Sequence, residues 1–149
     1  MTGAAAAAVP FRRPAEGLAS ALAQFNRRAE IVWFGFEGGF DGAAAVIRLP
    51  RLPAGALGGG GEAALNGGVI AAGFDAAAVL AGLGHYDTDT VVTLNLSVQY
   101  WRLARPAPGL CFRAWATRTT RQVCFIDAVL GDGAEACAGC TGMVMPRGG

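Results

Sequence analysis

A chain of 149 residues, 53% hydrophobic and 15% charged, is long enough to bury a core and too apolar for a disordered segment. Its net charge of +1 leaves no basic patch of the size that coats nucleic acid, and its twelve basic residues are all arginine, which excludes lysine Schiff-base chemistry and ordinary pyridoxal catalysis. The single histidine, His85, and two serines, Ser20 and Ser97, with no Gly-x-Ser-x-Gly elbow, argue against a Ser-His-Asp hydrolase.

The N-terminus opens on Met-Thr-Gly and Ala4 to Ala8, with Arg12 and Arg13 after the alanines. A secretory signal carries its positive charge before its apolar run, so residues 1–14 read as a flexible arm on a cytoplasmic protein. Residues 15–147 read as one domain. Within it, Leu18, Leu22 and Phe25 share one face of a short helix over 15–28. The β-branched and aromatic run Ile31–Phe36 and the apolar run Ala43–Leu49 flank a Gly- and Asp-rich turn, which predicts a hairpin. Pro50, Pro53 and Gly58 to Gly61 predict a loop that lacks the Gly-Lys-Ser/Thr ending of a P-loop.

Asn66 to Leu83 is apolar almost all round, so it is either a membrane span or a helix covered by protein on every side. Its Ala and Gly content, and Asp75 at its centre, favour a helix enclosed by a sheet. Val92 to Tyr100 alternates without a break, Val92, Leu94, Leu96, Val98 and Tyr100 against Thr93, Asn95, Ser97 and Gln99. Three further strands follow over 110–117, 123–130 and 137–145, with turns at 118–122 and 131–135. The sum is an α+β domain whose antiparallel sheet wraps one long helix.

Four cysteines lie late in the chain, and Cys137 and Cys140 form a Cys-x-x-Cys with no second pair behind it. Residues three apart on a strand point to opposite faces, so no metal site is expected, and the cysteines read as small buried hydrophobes. Two features carry chemistry. Asp75 is a lone carboxylate on an apolar helix, either a general base or nucleophile, or a group that caps, meets an arginine or sits at an exposed edge. Asn66 is a good N-cap before Gly67 and Gly68, where free backbone N–H groups approach a ligand closely or a strand packs tightly.

Leu65 to Asp75 (LNGGVIAAGFD) resembles the signature of PaaI-like hotdog thioesterases, in which a His-Gly-Gly opens the central helix and an acidic residue follows nine positions after the His. Thr93 to Arg102 (TLNLSVQYWR) is similar to that family's next strand, and Arg118 to Phe125 to its following hairpin. The resemblance implies a hotdog fold assembling as a dimer or a dimer of dimers, no cofactor, and hydrolysis of acyl-CoA or a related thioester at the subunit interface. It implies that Gly67 polarises the thioester carbonyl and that Asp75, from the facing subunit, attacks it or activates water. It further implies that Thr93 positions the water and that Gly68, Arg118 and Arg121 bind substrate; a solvated hairpin accounts equally well for the two arginines.

Two positions depart from the pattern. Asn66 stands in place of the His, and Gly60 where relatives frequently carry Asn. Loss of one oxyanion-type donor costs ~10²–10³ in rate, so slow turnover is expected, and a hotdog protein that binds acyl-CoA without hydrolysing it is the alternative. A hydratase would need a catalytic His, and His85 falls beyond the helix.

Overall fold

The computed structural model describes residues 8–58 and 63–148. The glycine run at 59–61, with the Gly60 position, and arm residues 1–7 lie outside them. Two short helices open the domain, α1 (Ala15–Asn26) and α2 (Ala29–Phe34), followed by strands β1 (Glu37–Asp41) and β2 (Ala44–Arg48). A 3₁₀ turn (Ala54–Ala56) leads into β3 (Leu57–Gly58) and β4 (Ala64–Leu65), then the central helix α3 (Gly67–Leu83). Strands β5 (Val91–Tyr100), β6 (Cys111–Thr119), β7 (Cys124–Gly131) and β8 (Ala136–Pro146) complete the chain.

Six strands form one antiparallel sheet in the order β1-β2-β6-β7-β8-β5, and β3 pairs with β4. The sheet curls around α3, whose residues Ala76 to Leu83 are all buried, so this apolar helix is enclosed by protein. Among the described residues no helix is long and apolar enough to cross a membrane.

The hairpin forms, but not from the predicted strands. Ile31–Phe36 does not form a strand: it is mostly the helix α2, closed by Gly35 in the left-handed region at φ 71°. Glu37–Asp41, expected as the turn, is the outer strand. Gly38 is held there by Asn26, whose side chain donates to the Gly38 carbonyl at 3.1 Å and accepts from its N–H at 2.7 Å. A Cβ at Gly38 would press on Phe25 and Leu80 at 2.9 Å. The turn shrinks to Gly42 at φ 58° and its neighbour Ala43.

The alternation of β5 is also interrupted. A bulge between Thr93 and Asn95 changes which residues face the helix. Val91 and Thr93 face it before the bulge, Leu96, Val98 and Tyr100 after it, and Leu94 is 49% exposed.

Small residues let α3 lie close to the sheet. A Cβ at Gly73 would run into the ring of buried Phe112 on β6, which meets Phe74 edge-on at 5.1 Å. Gly82 sits against Val91 of β5 and Val144 of β8. Gly73→Ala is therefore expected to destabilise the domain by about 1–3 kcal/mol, despite alanine's better helix propensity. Gly55→Ala, where a Cβ meets nothing within 4 Å, is the neutral control in the same urea titration.

At the other end of α3 the N-terminal segment is tied down. Val9 N–H donates to Ala116 O at 2.8 Å, and Arg12 and Arg13 N–H to Gly84 O at 3.1 and 3.0 Å. Phe11 covers His85 with ring centroids 5.1 Å apart. His85 is 2% exposed, and neither ring nitrogen has a hydrogen-bond partner among the described residues. Burial, with help from the Arg12 charge, lowers its pKa to about 4.

Candidate active site

The start of α3 is built by the loops before it. Asn66 N–H donates to Ala56 O at 2.7 Å and Leu65 N–H to Ala104 O at 2.8 Å, which fixes the end of β4 as the approach to the helix. Asn66 is the N-cap in extended backbone, and its Oδ1 accepts from Gly68 N–H at 2.7 Å. That bond consumes one of the free N–H groups of the first turn. Gly67 N–H, exposed and without a partner among the described residues, remains for a ligand. Tyr100, at the end of β5, donates its hydroxyl to Gly67 O at 2.7 Å and lays its ring beside Gly67. Asn66→Ala is expected to cost about 1 kcal/mol of stability through the lost cap, and Asn66→Asp to retain it, read from thermal unfolding.

Asp75 lies half-buried on the third turn of α3, at the wall of a small cavity between that helix and α2. Thr93 Oγ1 donates to Asp75 Oδ1 at 2.5 Å. The β5 bulge that begins at Thr93 marks where the strand's facing changes beside this contact. The ion pairs Arg102–Glu135 (3.1 Å) and Arg113–Asp41 (2.9 Å) lie elsewhere on the surface.

The expected residues therefore fall into three groups. Asp75 and Thr93 touch, and Asn66, Gly67 and Gly68 form one helix start. Eight helical residues at 1.5 Å each separate Asp75 from Gly67 by about 12 Å along the axis. One chain cannot bring both to the same carbonyl. Arg118, still in strand β6 rather than in the expected turn, and Arg121, in the turn that follows, are both exposed, with the Arg118 guanidinium 5.7 Å from the Phe125 ring centroid. Thr120 closes that turn, accepting from Val123 N–H at 3.0 Å, and among the described residues no hydrogen bond or ion pair ties either arginine to Asp75 or Gly67.

Tyr100 joins the helix start through a hydrogen bond that the sequence does not reveal. It reads there as one aromatic in an alternating strand, whereas its place on the Gly67 carbonyl depends on the strand crossing the helix start. Among the described residues no group of three or more His, Cys, Asp or Glu gathers as a metal site. All four cysteines are free, and burial pushes Cys140 up to about 11 and Cys124 up to about 12, so both stay protonated thiols. A larger concavity of ≈ 920 Å³ opens on the outer face of the sheet around Cys111, Arg113 and Trp115, away from Asp75.

Residues 63–136 match the family model described as the thioesterase superfamily, a stretch that holds Asn66, Gly67, Gly68, Asp75, Thr93, Arg118 and Arg121. With its sheet wrapped around one helix, the chain has the hotdog fold, and the matched stretch is similar to that superfamily. Among solved structures it is similar to the Escherichia coli PaaI protein of the phenylacetic acid degradation operon, at 17% identity and TM-score 0.74, covering 90% of this chain and 96% of that one. It is also similar to a thioesterase from Haemophilus influenzae, at 18% identity and TM-score 0.73, covering 92% and 94%. A thioesterase family protein from Silicibacter pomeroyi aligns at 20% identity and TM-score 0.74, covering 89% and 100%. No curated protein matches the sequence. Superfamily and fold together support thioester hydrolysis as the general activity.

Proposed function

We propose that this protein hydrolyses acyl-CoA or closely related thioesters, with Asp75 as general base or nucleophile. The observation that carries the reading is the Thr93–Asp75 contact beside an apolar cavity: a half-buried carboxylate held by the Thr93 hydroxyl and open to a space a substrate can enter. In the general-base form Asp75 takes a proton from water as its oxygen adds to the thioester carbonyl; collapse of the adduct breaks the C–S bond and expels the thiolate, which takes that proton back from Asp75 to leave as the thiol. Gly67 N–H, at the positive end of α3, stabilises the oxyanion of the adduct.

The separation of about 12 Å along one helix requires Gly67 and Asp75 to come from two copies of the chain. The ten-residue strand β5 supports that assembly. It is an edge of the sheet beside Thr93 and Tyr100, and an uncovered edge of that length invites pairing. Arg118 and Arg121 are proposed to meet the phosphates of CoA.

Asn66 motivates the second reading, a protein that binds acyl-CoA without turning it over. Its Oδ1 is committed to Gly68 N–H, and it cannot titrate near neutral pH as a His would. Thiol release from a panel of acyl-CoAs, with Asp75→Asn in parallel, separates the two. Release that depends on Asp75 supports hydrolysis; tight binding with no release supports the alternative.

A further inference from the structure

The face of α3 that presents Asp75 also presents Ala72, Ala76 and Val79, since positions three, four and seven apart share a side. Against it stand Ile31 and Phe34 of α2 and Phe36, which leads into β1. Phe34 and Phe36 stack with centroids 5.0 Å apart and planes 10° apart, while Ile31 and Phe36 are 2% and 5% exposed. Together they line a cavity of ≈ 80 Å³ with the carboxylate in its wall. Its other charged neighbours are Arg28, whose guanidinium is engaged by the Asp89 carbonyl at 3.1 Å, and Glu30, which is exposed.

We infer that this crevice is the acyl subsite and that it selects a short aliphatic acyl group, with about three carbons beyond the carbonyl, over aryl and long-chain groups. The inference rests on the thioesterase reading above. An apolar cavity of about 150 Å³ holds one benzene, six carbons. A cavity of ≈ 80 Å³ is about half that, which leaves room for about three carbons and too little for a ring. Walls of Ala, Val, Ile and Phe offer such a chain dispersion contacts and no hydrogen bond. The small side chains of Ala72 and Ala76 are what keep the space open beside Asp75.

The test is kcat/KM for acetyl-, butyryl-, hexanoyl-, decanoyl- and benzoyl-CoA with the full chain, Ala72→Leu and Phe34→Ala. Butyryl-CoA is expected to exceed acetyl-CoA by about tenfold or more, at roughly fourfold per buried methylene, and to exceed benzoyl- and decanoyl-CoA by at least about tenfold. Ala72→Leu, which adds three carbons to the wall, is expected to bring the butyryl-to-acetyl ratio to about one. Phe34→Ala is expected to move the optimum to hexanoyl-CoA. A preference of the unsubstituted protein for benzoyl- or decanoyl-CoA, or an unchanged ratio in Ala72→Leu, overturns the assignment. Calorimetric binding of butyryl-CoA and CoA to Asp75→Asn reads the crevice apart from turnover. About tenfold tighter binding of the ester, lost when Ala72→Leu is added, upholds the subsite even if no ester is hydrolysed, in which case the hydrolase reading alone fails. Asp75-dependent hydrolysis without chain-length preference does the reverse, and ester binding no tighter than CoA overturns the subsite.

Discussion

Asp75→Asn is expected to reduce thiol release from the preferred acyl-CoA by about 10²–10⁴-fold, the usual contribution of a positioned general base. At 1.36 kcal/mol per factor of ten this is about 3–5 kcal/mol of transition-state stabilisation. The amide keeps the shape of the side chain and can still accept the Thr93 hydroxyl, so the helix and its packing should be unchanged. The loss should therefore fall on kcat, with the unfolding midpoint within experimental error of the parent. Thr93→Val removes the hydroxyl at 2.5 Å without removing the base, and should give a smaller fall than Asp75→Asn. Equal release by the Asn variant and the parent would remove Asp75 from the mechanism.

Acid is expected to weaken the fold through His85. Its pKa is about 4 in the folded protein, against 6.5 for an ordinary histidine. Between those values the unfolded chain binds a proton that the folded one refuses. Stability gained by keeping the ring neutral is thus complete above about pH 6.5 and is lost as pH falls toward 4. From pH 7.5 to 4.5 the loss is about 2–3 kcal/mol from this one side chain. His85→Phe fills the same place beneath Phe11, carries no unpaired nitrogen, and should show a correspondingly flatter fall of unfolding free energy with acid. A parent and variant with parallel pH dependence would rule the histidine out as its source.

Strict alternation made most of the sheet legible in the sequence, and a long, almost wholly apolar run behind a capping residue did the same for the central helix. Asn66 as cap and Leu83 as last turn coincide with the structure because a capping residue and a glycine bracket the helix. The errors have local causes. Ile31–Phe36 is a six-residue apolar run, too short for its period to separate helix from strand, and Gly35 decides the matter by ending α2. Glu37–Asp41 looks like a turn because Gly38 and Gly39 stand in it, yet Gly38 is there for the close approach of Phe25 and Leu80. The β5 bulge leaves no mark in an alternation that looks perfect. Of the site, the helix start and carboxylate were legible as residue types at a characteristic spacing. The hydroxyl of Tyr100 on Gly67 O and the crevice beside Asp75 were not, because they come from segments brought together only by folding.

The two glycine notches of α3 act as a keyed joint. Gly73 receives the Phe112 ring and, nine residues on, Gly82 receives Val91 and Val144, so the helix is indexed against three strands at two points. A rod located twice along its length can neither slide nor roll, and Asp75 sits between the two fixings. The position of the carboxylate along the helix is thus set by the core and not by the surrounding loops.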